Sequence, residues 1–299
     1  MKKDVYEMVT DRIIEQLEQG VISWEKPWGG VIDGAYNRIS KKPYSLLNQM
    51  LLQHSGEYAT FKQWSELGGH IRKGEKAEIV VFWKLQPYEE ENADGEKIIK
   101  QIPLLRYYNV FHISQVDGVE PKEIDLNEFE PIEEAEKIKT EYMTRENLKI
   151  LEKLTDDAFY SPAFDYIQVP CKEQYQNVEE FYSTLFHEMV HSTRHKTRLD
   201  RLETGVNTHF GTESYSKEEL VAEIGSASIM NLLGIETKKS FRNSSAYIQN
   251  WLQVLRGDKK FIISASSKAE KAVKYIMNTI TTKIIPTTIN STVFSFFVS

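Results

Sequence analysis

The string His187-Glu188-Met189-Val190-His191 constrains this chain more than any other feature. Two histidines four residues apart share a face only on a helix, so the pattern has chemical meaning only if the segment is helical. The neighbours agree with that: Phe181, Leu185 and Val190 supply an apolar face, and the spacing predicts a helix over 177–194. On it His187 and His191 can address one cation, with Glu188 beside them as general base. Neutral imidazoles leave the ion's charge available to acidify water towards a pKa of ~7, and a glutamate can carry that proton to a leaving amine.

A catalytic site of this kind takes three protein ligands, and the third has to be found elsewhere. Thiolates are excluded, because Cys171 is the single cysteine; it also rules out an intrachain disulfide. A third histidine six positions after His191 is excluded too, since Thr197 stands there. His195 lies one helical turn beyond the pair, ~6 Å out of reach, and reads as solvated or substrate-facing. The stretch "SYSKEELVAEIGSASIMNLLG" is the better source. Ser216 and Glu219 fit a capping box that starts a helix there, with Glu219 and Glu223 on one face. Gly225, Ser226, Ala227 and Ser228 are small enough to let that helix approach another closely. Glu219 reads as the third ligand and Glu223 as the carboxylate that orients a ligand histidine, and the reverse assignment stays open. Tyr215 and His209, between the two helices, are candidates for steadying an oxyanion. The cofactor implied is one Zn2+ per chain.

The 299 residues suffice for one large domain or two ordinary ones. A net charge of −7 argues against a uniformly basic nucleic-acid binder and leaves local patches open. The acidic excess concentrates in 119–160, and 119–145 reads as an exposed linker running into a helix. No run approaches the ~20 apolar residues of a membrane span, and the first residues carry no signal-peptide core. The chain is expected to be cytoplasmic and away from membranes. Before the linker, helices are expected over 3–19, 43–56 and 60–69, the last capped by Thr60. "EIVVFWKLQPY" and "PLLRYYNVFHISQV" should pair as a long hairpin. After the linker come a helix at 132–147, strands near 149–153, 158–161 and 166–169, the histidine helix, and helices at 216–233, 243–256 and 265–280. The fold class is α+β in two domains: 1–118, then 146–280 after the linker, with 281–299 a tail of unassigned role.

Between residues 20 and 84 basic side chains interleave with Trp24, Trp28, Tyr36, Tyr44, Tyr58, Phe61, Trp64, Phe82 and Trp83. Single-strand binders combine a basic groove with such stacking platforms, although most aromatics in any α+β domain are core.

The segments "SWEKPW", "NRISKKPYSLLNQMLL", "ATFKQWSELGGHIRKGEKAEIVVFWK" and "YYNVFHISQVDG" resemble the N-terminal single-stranded-DNA-binding domain of the ArdC antirestriction family, which is related to the N-terminal part of TraC-type plasmid primases. "FHEMVHSTRHKTRLDR", "YSKEELVAEIGSA" and "NWLQVLRGDKKFIISASSKAEKAVKYI" resemble the zincin-like metallopeptidase half of the same family. The likeness runs over about 4–277, in the same order. It implies a protein of a plasmid or conjugative transposon that engages incoming single-stranded DNA and protects it from host restriction. It also implies a metallopeptidase-like domain acting on an unassigned protein or peptide. By motif position and residue type, the expected DNA contacts are Lys62, Trp64, Arg72, Lys73, Lys76, Trp83, Tyr107 and Tyr108. Two other readings are a DNA-binding protector whose metal is structural, and a regulatory protease of ImmA type that cleaves a repressor.

Overall fold

The computed structural model describes residues 4–19, 21–22, 24, 34–91, 97–122, 131–155, 157–175, 177–201, 213–235 and 245–277. They form two compact units, and the architecture is α+β. Among the described residues the first unit takes those within 4–122 and 252–263, and the second those within 131–251 and 264–277. The return of 252–263 to the first unit depends on contacts between distant parts of the chain, which no local pattern announces. The tail 281–299 lies outside the described residues.

In the first unit helix α1 (Val5–Glu18) starts at Asp4, whose carboxylate accepts from the Tyr6 N–H, and buries Val9, Ile13 and Leu17. Strands β1 (Ala35–Asn37) and β2 (Gly56–Ala59) pair in parallel across a crossover holding helix α2 (Leu46–Leu51). The expected helix over 43–56 is thus cut to six residues. The chain turns at Gly56, with φ +99°, into a strand too short to show an alternation. Helix α3 (Phe61–Glu66) begins with the Thr60 cap, made reciprocal by Gln63. The short strands β3 (His70–Ile71) and β6 (Val116–Asp117) pair with each other. The hairpin of β4 (Glu78–Glu91) and β5 (Lys97–His112) is longer than expected at its tip and joins the others in the order β1-β2-β5-β4. Asn48 locks α2 to it, donating to the Val81 carbonyl at 2.9 Å and accepting from the Val81 N–H at 2.8 Å. The segment 252–263 is held by Lys259, which pairs with Asp11 at 2.7 Å and accepts from the Thr10 hydroxyl at 2.6 Å.

The second unit places helix α4 (Pro131–Glu146) before a three-stranded sheet. Strand β7 (Lys149–Lys153) lies parallel to β9 (Tyr166–Pro170), and β8 (Phe159–Ser161) pairs with β9 antiparallel. Helix α5 (Val178–Ser192) lies against β8 and β9 and packs on α6 (Glu213–Leu232). Phe181, Leu185, Phe186, Met189, Leu220 and Ile224 are fully buried. Helices α7 (Ser245–Gly257) and α8 (Phe261–Ile276) follow. No helix among the described residues is long and apolar enough to cross a membrane.

The exit of α5 is fixed by a buried guanidinium. Arg198, with no side-chain exposure, donates to both Asp165 oxygens at 2.9 and 2.8 Å and to the Ser192 carbonyl at 2.9 Å. Burial raises the Asp165 carboxyl, but hydrogen bonds from Arg198 and Tyr160 outweigh it and hold the group below the usual range. Its contribution to stability is full above the unfolded pKa of ~3.9 and is lost as pH falls through the lower folded value. Thermal melting across pH 2–6 is expected to show a steeper acid loss for the wild type than for Asp165→Asn. At neutral pH the variant should be less stable by on the order of 2 kcal/mol, because Arg198 loses the carboxylate that binds it through two hydrogen bonds and keeps the Glu146 ion pair at 3.3 Å.

Candidate functional site

The His187 and His191 rings emerge from one face of α5 and meet α6. Their Nε2 atoms are 3.1 Å apart. Glu219 faces both: one carboxylate oxygen lies 3.3 Å from His187 Nε2 and the other 3.2 Å from His191 Nε2. Both histidines are almost wholly buried, and Glu219 less so. The remaining ring nitrogens face further carboxylates of α6, His187 Nδ1 at 3.4 Å from Glu223 and His191 Nδ1 at 3.5 Å from Glu218. Glu188 is buried at the adjacent helix position and close enough for its charge to act on His191.

The helix approach behind this geometry depends on Gly225. A Cβ there would lie 2.8 Å from Val190 Cγ2 and 3.1 Å from Val190 Cγ1, closer than packed atoms tolerate. Next to it the Ser226 hydroxyl donates to the Ser183 carbonyl at 2.8 Å. α6 starts at Glu213 rather than at Ser216, so the expected capping box does not form. Ser216 lies within the helix, and the Glu219 carboxylate turns to the histidines.

The donor set fits a divalent ion. Ligands ~2.0–2.1 Å from a tetrahedral centre stand ~3.3 Å from one another. The three nitrogen and oxygen separations here, 3.1, 3.2 and 3.3 Å, are of that size. His187, His191 and Glu219 are the three that converge among the described residues. Opposed charges within the cluster govern where its protons lie. Burial pulls His191 down, but Glu218 and Glu219 outweigh it and push it up to about 10. Burial raises Glu219, yet the two imidazoles hold it far below the carboxylate range. A cation takes the place of those protons.

The other expected site residues are distributed unevenly. His195 is half-buried and its Nδ1 bonds Thr197 Oγ1 at 2.8 Å; it is not among the three residues that converge. His209 and the Tyr215 side chain lie outside the described residues. In the first unit Trp64 corrects an expectation: it is fully buried, donates to the Phe111 carbonyl at 2.9 Å and has no ring face to offer a base. Lys62 is exposed on α3, 3.7 Å from Glu66. Arg72 pairs with Glu75 and Asp117 and donates to the Ser114 carbonyl, while Lys73 and Lys76 are exposed. Arg72 and Lys76 line a cleft of about 880 Å³ with Arg12, His54, Glu75 and Glu78. Trp83, Tyr107 and Tyr108 are all exposed on the hairpin, but not on one face. Val81 opposes Tyr107 and Val80 opposes Tyr108, so Tyr107 shares the Trp83 face and Tyr108 lies behind, beside Phe82 at 6.0 Å between centroids. Sequence reasoning missed Glu218, and it missed Arg201, which donates to both Glu218 oxygens. The Glu-Glu pair at 218–219 was the available signal for the first.

A Gly225→Ala substitution is expected to lower stability by about 1–3 kcal/mol through overpacking and to weaken metal binding. Adding Val190→Ala should recover part of both losses, as thermal melts and metal titrations of the single and double variants would show.

A profile described as the N-terminal domain of anti-restriction factor ArdC matches residues 3–111, and one described as a zincin-like metallopeptidase matches 136–268. The antirestriction ArdC protein of plasmid R388, in its metal-free crystal structure, matches with a TM-score of 0.71 at 33% identity, covering 92% of this chain and 97% of that one. Its Mn(II)-bound structure gives a TM-score of 0.71 at 32% identity, covering 92% and 98%. A DNA primase TraC of Escherichia coli is 32% identical over 298 residues, 93% of this chain. Those residues are only 27% of the primase, so this chain spans about a quarter of that relative. The uncharacterised protein y4eC of Sinorhizobium fredii is 32% identical over 289 residues, 91% of both chains. With both halves matched in order and at this coverage, the chain belongs to the ArdC antirestriction family.

Proposed function

We propose that this protein engages single-stranded DNA through its first unit and holds one divalent cation, assigned as zinc, on His187, His191 and Glu219 of its second. The observation that carries the metal reading is the convergence of two buried imidazoles and the half-buried Glu219, whose two oxygens stand from the Nε2 atoms at the spacing expected of ligands on a four-coordinate ion. When bound, the ion supplies Lewis-acid chemistry, drawing electron density from a carbonyl oxygen and acidifying water. The protein's residues do the rest. Glu223 faces His187 Nδ1 and favours the tautomer that leaves Nε2 free for the cation. Glu188 is the base that accepts a proton and returns it to a leaving amine, so peptide hydrolysis is the reaction class. The substrate is a peptide or protein of unassigned identity.

The DNA reading is supported by the exposed hairpin. Trp83 and Tyr107 lie on one face and Phe82 and Tyr108 on the other, the latter face also carrying exposed Lys84 and Arg106. Each base stacked on such a ring is worth ~1–3 kcal/mol. The names of the relatives, a DNA primase and an antirestriction protein, point the same way. Protecting an incoming strand during conjugation is the role that joins these features.

Metal analysis of the purified protein should find one equivalent of zinc, falling well below that in His187→Ala. Chelation should lower the melting temperature, since an ion at a hundred times its Kd adds about 2.7 kcal/mol. Glu188→Ala should retain metal and DNA binding; if restriction protection is lost with it, the base has a catalytic part in protection, and if protection survives, the metal is structural there. Affinity for a single strand is expected to fall steeply with salt, by a log–log slope of ~0.7 per phosphate neutralised. Trp83→Ala should weaken it without unfolding the protein. Equal affinity for duplex, or no binding at low salt, would sink the DNA assignment.

A further inference from the structure

The metal reading leaves a buried ion pair without a task. Arg201 and Glu218, with side chains 9% and 16% exposed, are joined through Arg201 Nη1, which donates to both carboxylate oxygens at 3.0 and 2.8 Å. Arg201 Nη2 donates to the Val190 carbonyl at 3.1 Å and to Thr193 Oγ1 at 2.8 Å. One guanidinium thus links a carboxylate of α6 to the carbonyl end of α5. Withdrawing such a pair from water is costly, and apolar side chains of similar volume would hold two helices together as well. The direction of the pair is what distinguishes it. Glu218 points at His191 Nδ1, the nitrogen on the far side of the ring from the His187–Glu219 cluster.

We infer that Glu218, held by Arg201, is a positioning residue for His191. This rests on the metal reading of the cluster. The Glu218 carboxylate lies 3.5 Å from Nδ1, an ion-pair distance without hydrogen-bond geometry, and its charge at that side favours the proton on Nδ1 and leaves the Nε2 lone pair for the ion. Glu223 performs the same service for His187, so each histidine has its own outer carboxylate. Arg201 fixes Glu218 from the other side. With both oxygens bonded to one guanidinium, Glu218 is kept from swinging inward, and the cluster keeps three protein donors instead of gaining a fourth. A fourth carboxylate would close the coordination position that a catalytic site leaves open.

The test uses the full-length protein with Zn2+ alone, its Kd measured by competition with a chromogenic chelator. Glu218→Gln keeps the shape and removes the charge, and it is expected to weaken Zn2+ binding 10–100-fold, the usual effect of losing an outer-shell partner. Nitrogen-15 histidine spectra of the zinc-loaded wild type should show a slowly exchanging His191 Nδ1 proton that shifts and exchanges faster in Glu218→Gln. Arg201→Lys keeps the charge but cannot span both contacts, and it should weaken binding in the same direction. It gives the same reading where Glu218→Gln does not fold. Glu270→Gln, a surface change on α8, is the matched control with wild-type Kd. A wild-type Kd and an unchanged His191 signal in both Glu218→Gln and Arg201→Lys overturn the inference and leave the metal reading standing. Absence of zinc binding by the wild type, or wild-type affinity in His191→Ala, overturns the metal reading and the inference with it.

Discussion

The contact between Val190 on α5 and Gly225 on α6 is the constraint on which the second unit's chemistry depends. A histidine pair on one helix offers two donors, and no rearrangement of that helix alone supplies a third. The third comes from a helix whose axis must pass close enough for a glutamate to reach both imidazoles. A side chain at position 225 would fill that gap. Once α6 is this close, helical geometry does the rest. Positions 219 and 223 lie on one stripe, four residues apart, and 218 sits next to it. Three carboxylates therefore meet two rings from different sides: one between the Nε2 atoms and one behind each ring.

Such a concentration of acids would destabilise a protein interior if nothing opposed it. Here each carboxylate is opposed. Burial drives Glu218 and Glu219 upward, and the imidazoles and Arg201 more than reverse this. The cost of desolvation is thereby turned into a site already organised for positive charge. Rigidity comes from the same interactions, because Arg198 and Arg201 tie the turn after α5 to Asp165, to Glu218 and to the last carbonyls of that helix.

The parts of this arrangement legible in the sequence are those governed by spacing. His187, His191, Glu219 and Glu223 follow from a four-residue period, and the hairpin follows from two β-rich runs around a polar turn. Glu218 was not legible, because a residue adjacent to a ligand points elsewhere on an isolated helix, and only the partner helix gives it a target. Arg201 was hidden for the same reason, being linked to Glu218 through space across 17 positions. The capping box at Ser216 failed because the helix begins earlier, at Glu213, and leaves Ser216 inside it, where Glu219 is free to face the imidazoles instead of a cap. Trp64 looked like a stacking platform by type and motif. Whether an aromatic is core or platform is decided by neighbours such as Ala59 and Val116, which the sequence does not reveal.

The hairpin separates the remaining aromatics by the two-residue period of a strand. Where a β-ribbon lies on a core, one face is lost to packing and only alternate residues stay available. Over 82–88 on β4 and 101–108 on β5 most side chains are exposed, so both faces present rings. A strand laid on Trp83 and Tyr107 meets a different set from one laid on Phe82 and Tyr108. On the proposed reading this makes the arm a sequence-tolerant platform. Ring faces stack on any base, and Lys84 and Arg106 answer to phosphate rather than to base edges. Tolerance of this kind is what protection of an arbitrary incoming strand demands, and a set of base-edge hydrogen bonds would work against it.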